Sequence, residues 1–173
     1  MARPVTFLMS LALATFPVVV MGCKDISRFG TGPDESYCGG IVPGGFVRQG
    51  FAPGVAMRLH IDPDRLHDAP GDISTDDGTF VDAPLRPIPQ LAHDSLSTLD
   101  FGEGRVRNLL LGAQPAQGAT AYVIVSLLEN ESVEVRVLRG APPTDTEAVP
   151  VSWFGPELFG VFPLVRQKGT CEF

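Results

Sequence analysis

The stretch Ala121 to Gly140, AYVIVSLLENESVEVRVLRG, constrains the fold more than any other part of the chain. Two runs rich in Val, Ile and Leu flank the polar segment Glu129-Asn130-Glu131-Ser132, the pattern of a β-hairpin. A four-residue turn sets Leu128 opposite Val133, Ser126 opposite Val135 and Ile124 opposite Val137. Tyr122, Ile124 and Leu128 then share a face with the three valines, while Val123, Val125 and Leu127 lie against Glu134, Arg136 and Leu138. The first strand is apolar on both faces, as a central strand should be. The second alternates, which suits one wet face. A slip of one residue would bury Glu134 and Arg136 together, so the pattern selects this register.

The rest of the chain is punctuated in the same way. Sixteen prolines and nineteen glycines are spread over 173 residues, which leaves little room for long helices. From Gly54 to Asp62, Val55, Met57, Leu59 and Ile61 fall on one face of a strand, and Ala56, Arg58 and His60 on the other. The glycine-rich run from Cys38 to Gly54 reads as two short strands around a bend, with Gly44, Gly45 and Gly50 at bulges or turns. Thr79 to Val81 is expected to be a short strand, and proline-rich Ala83 to Gln90 an extended crossing connection. Leu91 to Ser97 is expected to hold one helical turn, with Leu96, Leu99 and Phe101 in the core. Arg105 to Leu111 resumes strand character. The aromatics Trp153, Phe154, Phe159 and Phe162 are expected mostly in the core, with Pro156 and Pro163 marking an edge. Together these signals predict a single antiparallel β-sandwich or small barrel of seven to eight short strands, organised on the 121–140 hairpin.

Met1 to Cys23, MARPVTFLMSLALATFPVVVMGC, has one basic residue, an apolar run and a small residue before cysteine, the layout of a secretory leader. Val20-Met21-Gly22-Cys23 resembles the lipobox of bacterial lipoproteins. That resemblance implies cleavage before Cys23 by signal peptidase II, a diacylglyceryl group on its sulfur and acylation of the new N-terminus. It covers this segment alone, and the folded part resembles no known family. The expected organisation is a signal peptide over 1–22, a lipidated N-terminus and flexible tether over 23–37, and a β domain over 38–173. The implied location is the bacterial cell envelope, periplasm-facing or at the cell surface, with the membrane engaged through the lipid.

The net charge is −7, and loss of Arg3 with the leader makes it −8. An acidic surface repels phosphate backbones, so nucleic acid is not an expected partner. After Cys23, the remaining cysteines are Cys38 and Cys171. In an oxidising compartment such a pair is expected to form a disulfide. Two thiols without a nearby pair of histidines are too few ligands for a zinc site.

Seven aspartates lie between Asp62 and Asp82. Asp72, Asp76 and Asp77 open a segment, DISTDDG, that resembles the start of an EF-hand loop. The glycine falls one place late, and Ala83 stands where a bidentate Glu is required. His60 and His67 flank Asp62 and Asp64, but around a proline and on no defined helix. No cofactor is therefore expected, and the aspartates read as builders of solvated turns. Adjacent His93, Asp94 and Ser95 are no catalytic triad, which is assembled in space and not in sequence. No G-x-S-x-G elbow or phosphate-binding glycine motif is present. Asn130-Glu131-Ser132 matches a glycosylation acceptor, but in a bacterial lipoprotein it reads as a hairpin turn.

Two functional readings follow. The first is a non-enzymatic lipid-anchored β module that binds another envelope protein or a glycan, with Trp153 and Phe154 as a binding patch. The second is a small metal-dependent hydrolase using the 62–82 aspartates with His60 or His67.

Overall fold

The computed structural model describes residues 26–43, 50–88, 104–138, 158–169 and 171. Among them, eight antiparallel strands close into a barrel in strict chain order. They are β1 (Glu35–Gly40), β2 (Ala56–Ile61), β3 (Gly71–Thr75), β4 (Ala83–Pro87), β5 (Arg105–Ala113), β6 (Ala121–Leu128), β7 (Val133–Leu138) and β8 (Leu158–Lys168). The last strand pairs with the first, Tyr37 facing Arg166 and Cys38 facing Val165. Of the two architectures expected, the barrel is the one adopted. Closure gives every strand two neighbours and leaves no edge.

Strand periodicity fills the interior. Met57, Leu59 and Ile61 of β2 turn inward with Ile73 of β3 and Leu85 of β4, and meet Leu109, Val123, Val135 and Phe162 from the far side in one core. Burying each such side chain is worth roughly 1.5–3 kcal/mol relative to leaving it in water. Both ends are plugged. At the near end, where β1 begins, a 3₁₀ turn (Ser27–Phe29) inserts Phe29, which is fully buried. At the far end Phe51 packs on Phe159 and Phe162 at centroid distances of 5.0 and 5.2 Å, and on Phe80 at 6.4 Å. Phe162 thus lies in the core as expected, and Phe159 packs against it.

The 121–140 hairpin forms, but one residue out of the expected register. Val123 faces Val137, Val125 faces Val135 and Leu127 faces Val133, so both sets of inward residues are apolar. The cause is the turn, which has three residues and not four. Leu128 N–H donates to the Ser132 carbonyl at 3.0 Å, closing the loop over Glu129, Asn130 and Glu131. Glu131 has φ +66°, in the left-handed region, and the Asn130 side-chain oxygen accepts from Ser132 N–H at 3.1 Å and Ser132 Oγ at 2.6 Å. Such three-residue loops end in a left-handed residue, a position that favours glycine. Glu131→Gly is expected to stabilise the protein by about 1 kcal/mol, read as a higher urea midpoint with unchanged slope. An unchanged or lower midpoint would contradict the geometry of this turn.

The slip does not bring Glu134 and Arg136 into the core. They face outward and pair with each other. Both faces of β6 are buried, as expected of its apolar sequence. Val123, Val125 and Leu127 belong to the barrel core, whereas Tyr122, Ile124 and Ser126 are buried on the outer face.

Four further expectations are corrected. Order begins before residue 38: Phe29 is buried and β1 starts at Glu35, so the stretch expected to be tether is folded from Ile26 onward. Strand β3 lies inside the acidic stretch, and Thr79 to Val81 are bends in the β3–β4 connection, with Phe80 dropping into the core. The proline-rich segment is not a crossing connection at its start. Ala83–Pro87 is barrel strand β4, with Ala83 and Leu85 inward and Pro84 and Arg86 exposed. Pro163 marks no edge either, since it sits within β8 opposite Glu134. The β1–β8 register ends at Cys38 and Val165, two residues short of it, so the missing N–H breaks no bond of that ladder. Gly39 of β1 lets the backbones meet there, because a Cβ on it would stand 2.0 Å from the Pro163 carbonyl oxygen. The leader and lipobox, Gly44 and Gly45, the 91–97 turn with Leu96, Leu99 and Phe101, the His93-Asp94-Ser95 cluster, and Trp153, Phe154 and Pro156 lie outside the described residues.

Candidate functional site

The disulfide joins Cys38, on the outer face of β1, to Cys171 just beyond β8, with Cα atoms 5.8 Å apart. Both residues are buried, and the Ser36 hydroxyl lies 3.5 and 3.4 Å from their sulfurs. The bridge therefore pins the seam where the first and last strands close the barrel.

On the neighbouring outer face, Arg58 of β2 organises the acidic stretch. Its guanidinium donates to Ser74 Oγ at 3.1 Å, contacts the Asp82 carboxylate, and lies 3.7 Å from Asp72. Ser74 Oγ donates to Asp82 at 2.9 Å and accepts from Asp82 N–H at 2.9 Å. Asp82 itself is left-handed, φ +42°, a conformation that aspartate tolerates when its side chain is locally bonded. Donation from Ser74 and then Arg58 holds its carboxyl below the usual carboxylate range.

Four other aspartates are committed to local turns, to a neighbouring arginine or to the adjacent strand. Asp62 caps the 3₁₀ turn Pro63–Arg65 by accepting from Asp64 N–H. Asp68 pairs with Arg65 at 2.9 Å. Asp76 accepts from Ala56 N–H at 3.0 Å, tying the β3–β4 connection to β2. Asp77 accepts from Thr75 Oγ1, Thr79 N–H and Thr79 Oγ1. Partial burial pushes the Asp77 carboxyl up, but these donors outweigh it and hold the group below its ordinary value. Its stabilising bonds are thus made above the usual carboxylate pKa and lost as acid protonates the folded form.

The candidate metal ligands are not brought together. Asp72 sits near the start of β3 opposite His60, while Asp76 and Asp77 lie past the strand's other end. Four residue steps along the strand separate Asp72 from Asp76 by roughly 13 Å. Among the described residues no three His, Cys, Asp or Glu side chains gather where a metal ion would be held. His67 is exposed. A shallow groove of about 830 Å³ runs along the near end beside the two 3₁₀ turns, lined by Thr31, His60, Asp62, Arg65, Asp72 and Asp82 among others.

Two buried features escaped the sequence. Tyr37 is fully buried, and its hydroxyl accepts from Arg166 at 2.9 Å while the guanidinium lies 5.3 Å from its ring centre. Burial pushes the Tyr37 phenol up, against the opposing pull of that hydrogen bond and charge. Arg166 also reaches the Arg28 carbonyl and lies 3.6 Å from Glu35, so it ties the near-end plug to β1 and β8. On the outer face of β5 and β6, the cross-strand neighbours Asn108 and Ser126 bury Oδ1 and Oγ without hydrogen-bond partners. The signal for the first was in principle present, as an Arg two positions beyond inward Leu164 in the alternation of β8. Nothing local marks the second.

Fold and surface together define a small up-and-down β-barrel whose inward positions are occupied by its own side chains, with its polar chemistry on the outer face and at the ends. The chain matches no protein-family model, no curated protein and no solved structure.

Proposed function

We propose that this is a lipid-anchored protein of a bacterial cell envelope whose barrel serves as a non-enzymatic binding module for another envelope protein or a glycan. The observation that carries the reading is the Cys38–Cys171 bridge. Disulfides form and persist in exported proteins. The bridge uses both cysteines of the folded part and leaves Cys23 as the one thiol, at the position where the lipobox resemblance requires it. The side-chain-filled interior supports recognition by the outer surface and the loops. Trp153 and Phe154 lie in sequence between β7 and β8.

Several acyl chains hold a protein to a bilayer far more firmly than one, at roughly 0.8 kcal/mol per buried CH₂. Cys23→Ser is therefore expected to move the protein from the membrane fraction to the soluble fraction, and mass spectrometry of the native N-terminus to show a modified Cys23. An unmodified thiol would remove the anchor from this reading. Stoichiometric zinc or calcium in the purified protein would replace the binding module with the metal-dependent hydrolase.

A further inference from the structure

We propose that the near end of the barrel, carrying the two 3₁₀ turns, faces the lipid bilayer across a two-residue spacer, and that the far end is presented to partners. This rests on the lipid-anchored reading above and adds an orientation to it. The argument starts from where the fold begins. Ile26 already packs against the core, and Phe29 is fully buried. Thr31 stitches the next residues to the end of β2: its N–H donates to the Ile61 carbonyl at 2.9 Å, and its Oγ1 accepts from Ile61 N–H at 3.0 Å. Arg166 of β8, on the other side of β1 from β2, holds the Arg28 carbonyl. The chain thus leaves the barrel at a fixed point on its near end.

Between that point and Cys23 stand only Lys24 and Asp25. Three Cα steps span at most about 11 Å. The eight residues of β6 alone extend about 23 Å. A barrel anchored through a link shorter than itself cannot turn its far end to the bilayer. Charge is not what holds this end down, because exposed Asp34, Asp64 and Asp68 are interleaved there with Arg28, Arg65 and Lys168. The spacer length sets the orientation, so raising the salt concentration is expected to leave it unchanged.

The test uses the full chain, processed in a bacterial host and reconstituted into phosphatidylcholine vesicles that carry a nitroxide quencher on the headgroup. A fluorophore is placed on Asp64→Cys, exposed at the near end, or on Ala119→Cys, exposed in the β5–β6 connection at the far end. The expected result is loss of most of the fluorescence at position 64 and little loss at 119. Insertion of a long Gly/Ser spacer between Asp25 and Ile26 should abolish the difference. Protein that floats with the vesicles but is quenched equally at both positions, or more at 119, overturns the orientation while leaving the anchor intact. Protein that does not float overturns the anchor, and the orientation with it.

Discussion

Replacing Cys38 and Cys171 together by alanine is expected to destabilise the folded protein by about 5 kcal/mol, the loop-closure entropy for a separation of 133 residues. Single domains are stable by only about 5–15 kcal/mol, so the variant should sit near the edge of folding at physiological temperature. The size of the effect follows from topology. The bridge restrains the contact between β1 and β8, whose partners are the most distant in sequence of any strand pair, and it leaves the unfolded chain a closed loop. Denaturant unfolding of the Cys23→Ser background with and without the two substitutions measures it directly. Reduction of the bridge in that background should reproduce the loss, because it releases the same loop. A difference below about 1 kcal/mol would mean that the seam closes without help from the bridge.

The second large effect is expected at Gly71, where Gly71→Ala should cost about 3 kcal/mol or more, near 10 °C in Tm. Gly71 opens β3 directly opposite Ile61 of β2, with φ +143°. A Cβ there would stand 1.8 Å from the His60 carbonyl oxygen, which is backbone and cannot swing aside. Two other glycines separate clash from strain. Gly78 has φ +74° with nothing within 4 Å of an added Cβ, so Gly78→Ala should cost only about 1–2 kcal/mol. Gly112 has no positive φ, and its nearest contact would be Thr120 Cγ2 at 3.5 Å. Gly112→Ala should therefore be close to neutral. Equal losses at all three positions in thermal unfolding would remove the close approach of β2 and β3 as the explanation.

The candidate site was legible only in its composition. Asp62 and Asp77 build local turns as expected, whereas Asp76 and Asp82 bond to residues of neighbouring strands, which no local pattern shows. Asp82 reaches Arg58 across 24 positions and Asp76 reaches Ala56 across 20. Which partners Arg166 takes was hidden for the same reason, since Arg166 and Tyr37 are 129 residues apart.

The contrast between determined and undetermined features follows one physical line. Alternation such as Met57, Leu59 and Ile61 declares a strand because each inward side chain must be apolar whatever its neighbours are. The pairing of Cys38 with Cys171 was readable because, with Cys23 set aside by the lipobox resemblance, no other cysteine was left. The hairpin was written into Ala121–Gly140, yet its register was not, because the number of loop residues depends on Glu131 accepting a left-handed backbone. Strands β3 and β4 were hidden in GDIST and APLRP, where half the side chains face water and the ladder comes from partners elsewhere. Closure into a barrel, finally, was decided by β1 meeting β8. A local pattern records which face of a strand is dry, whereas backbone hydrogen bonds between strands are made by atoms that every residue shares, and so leave almost no trace in the side chains.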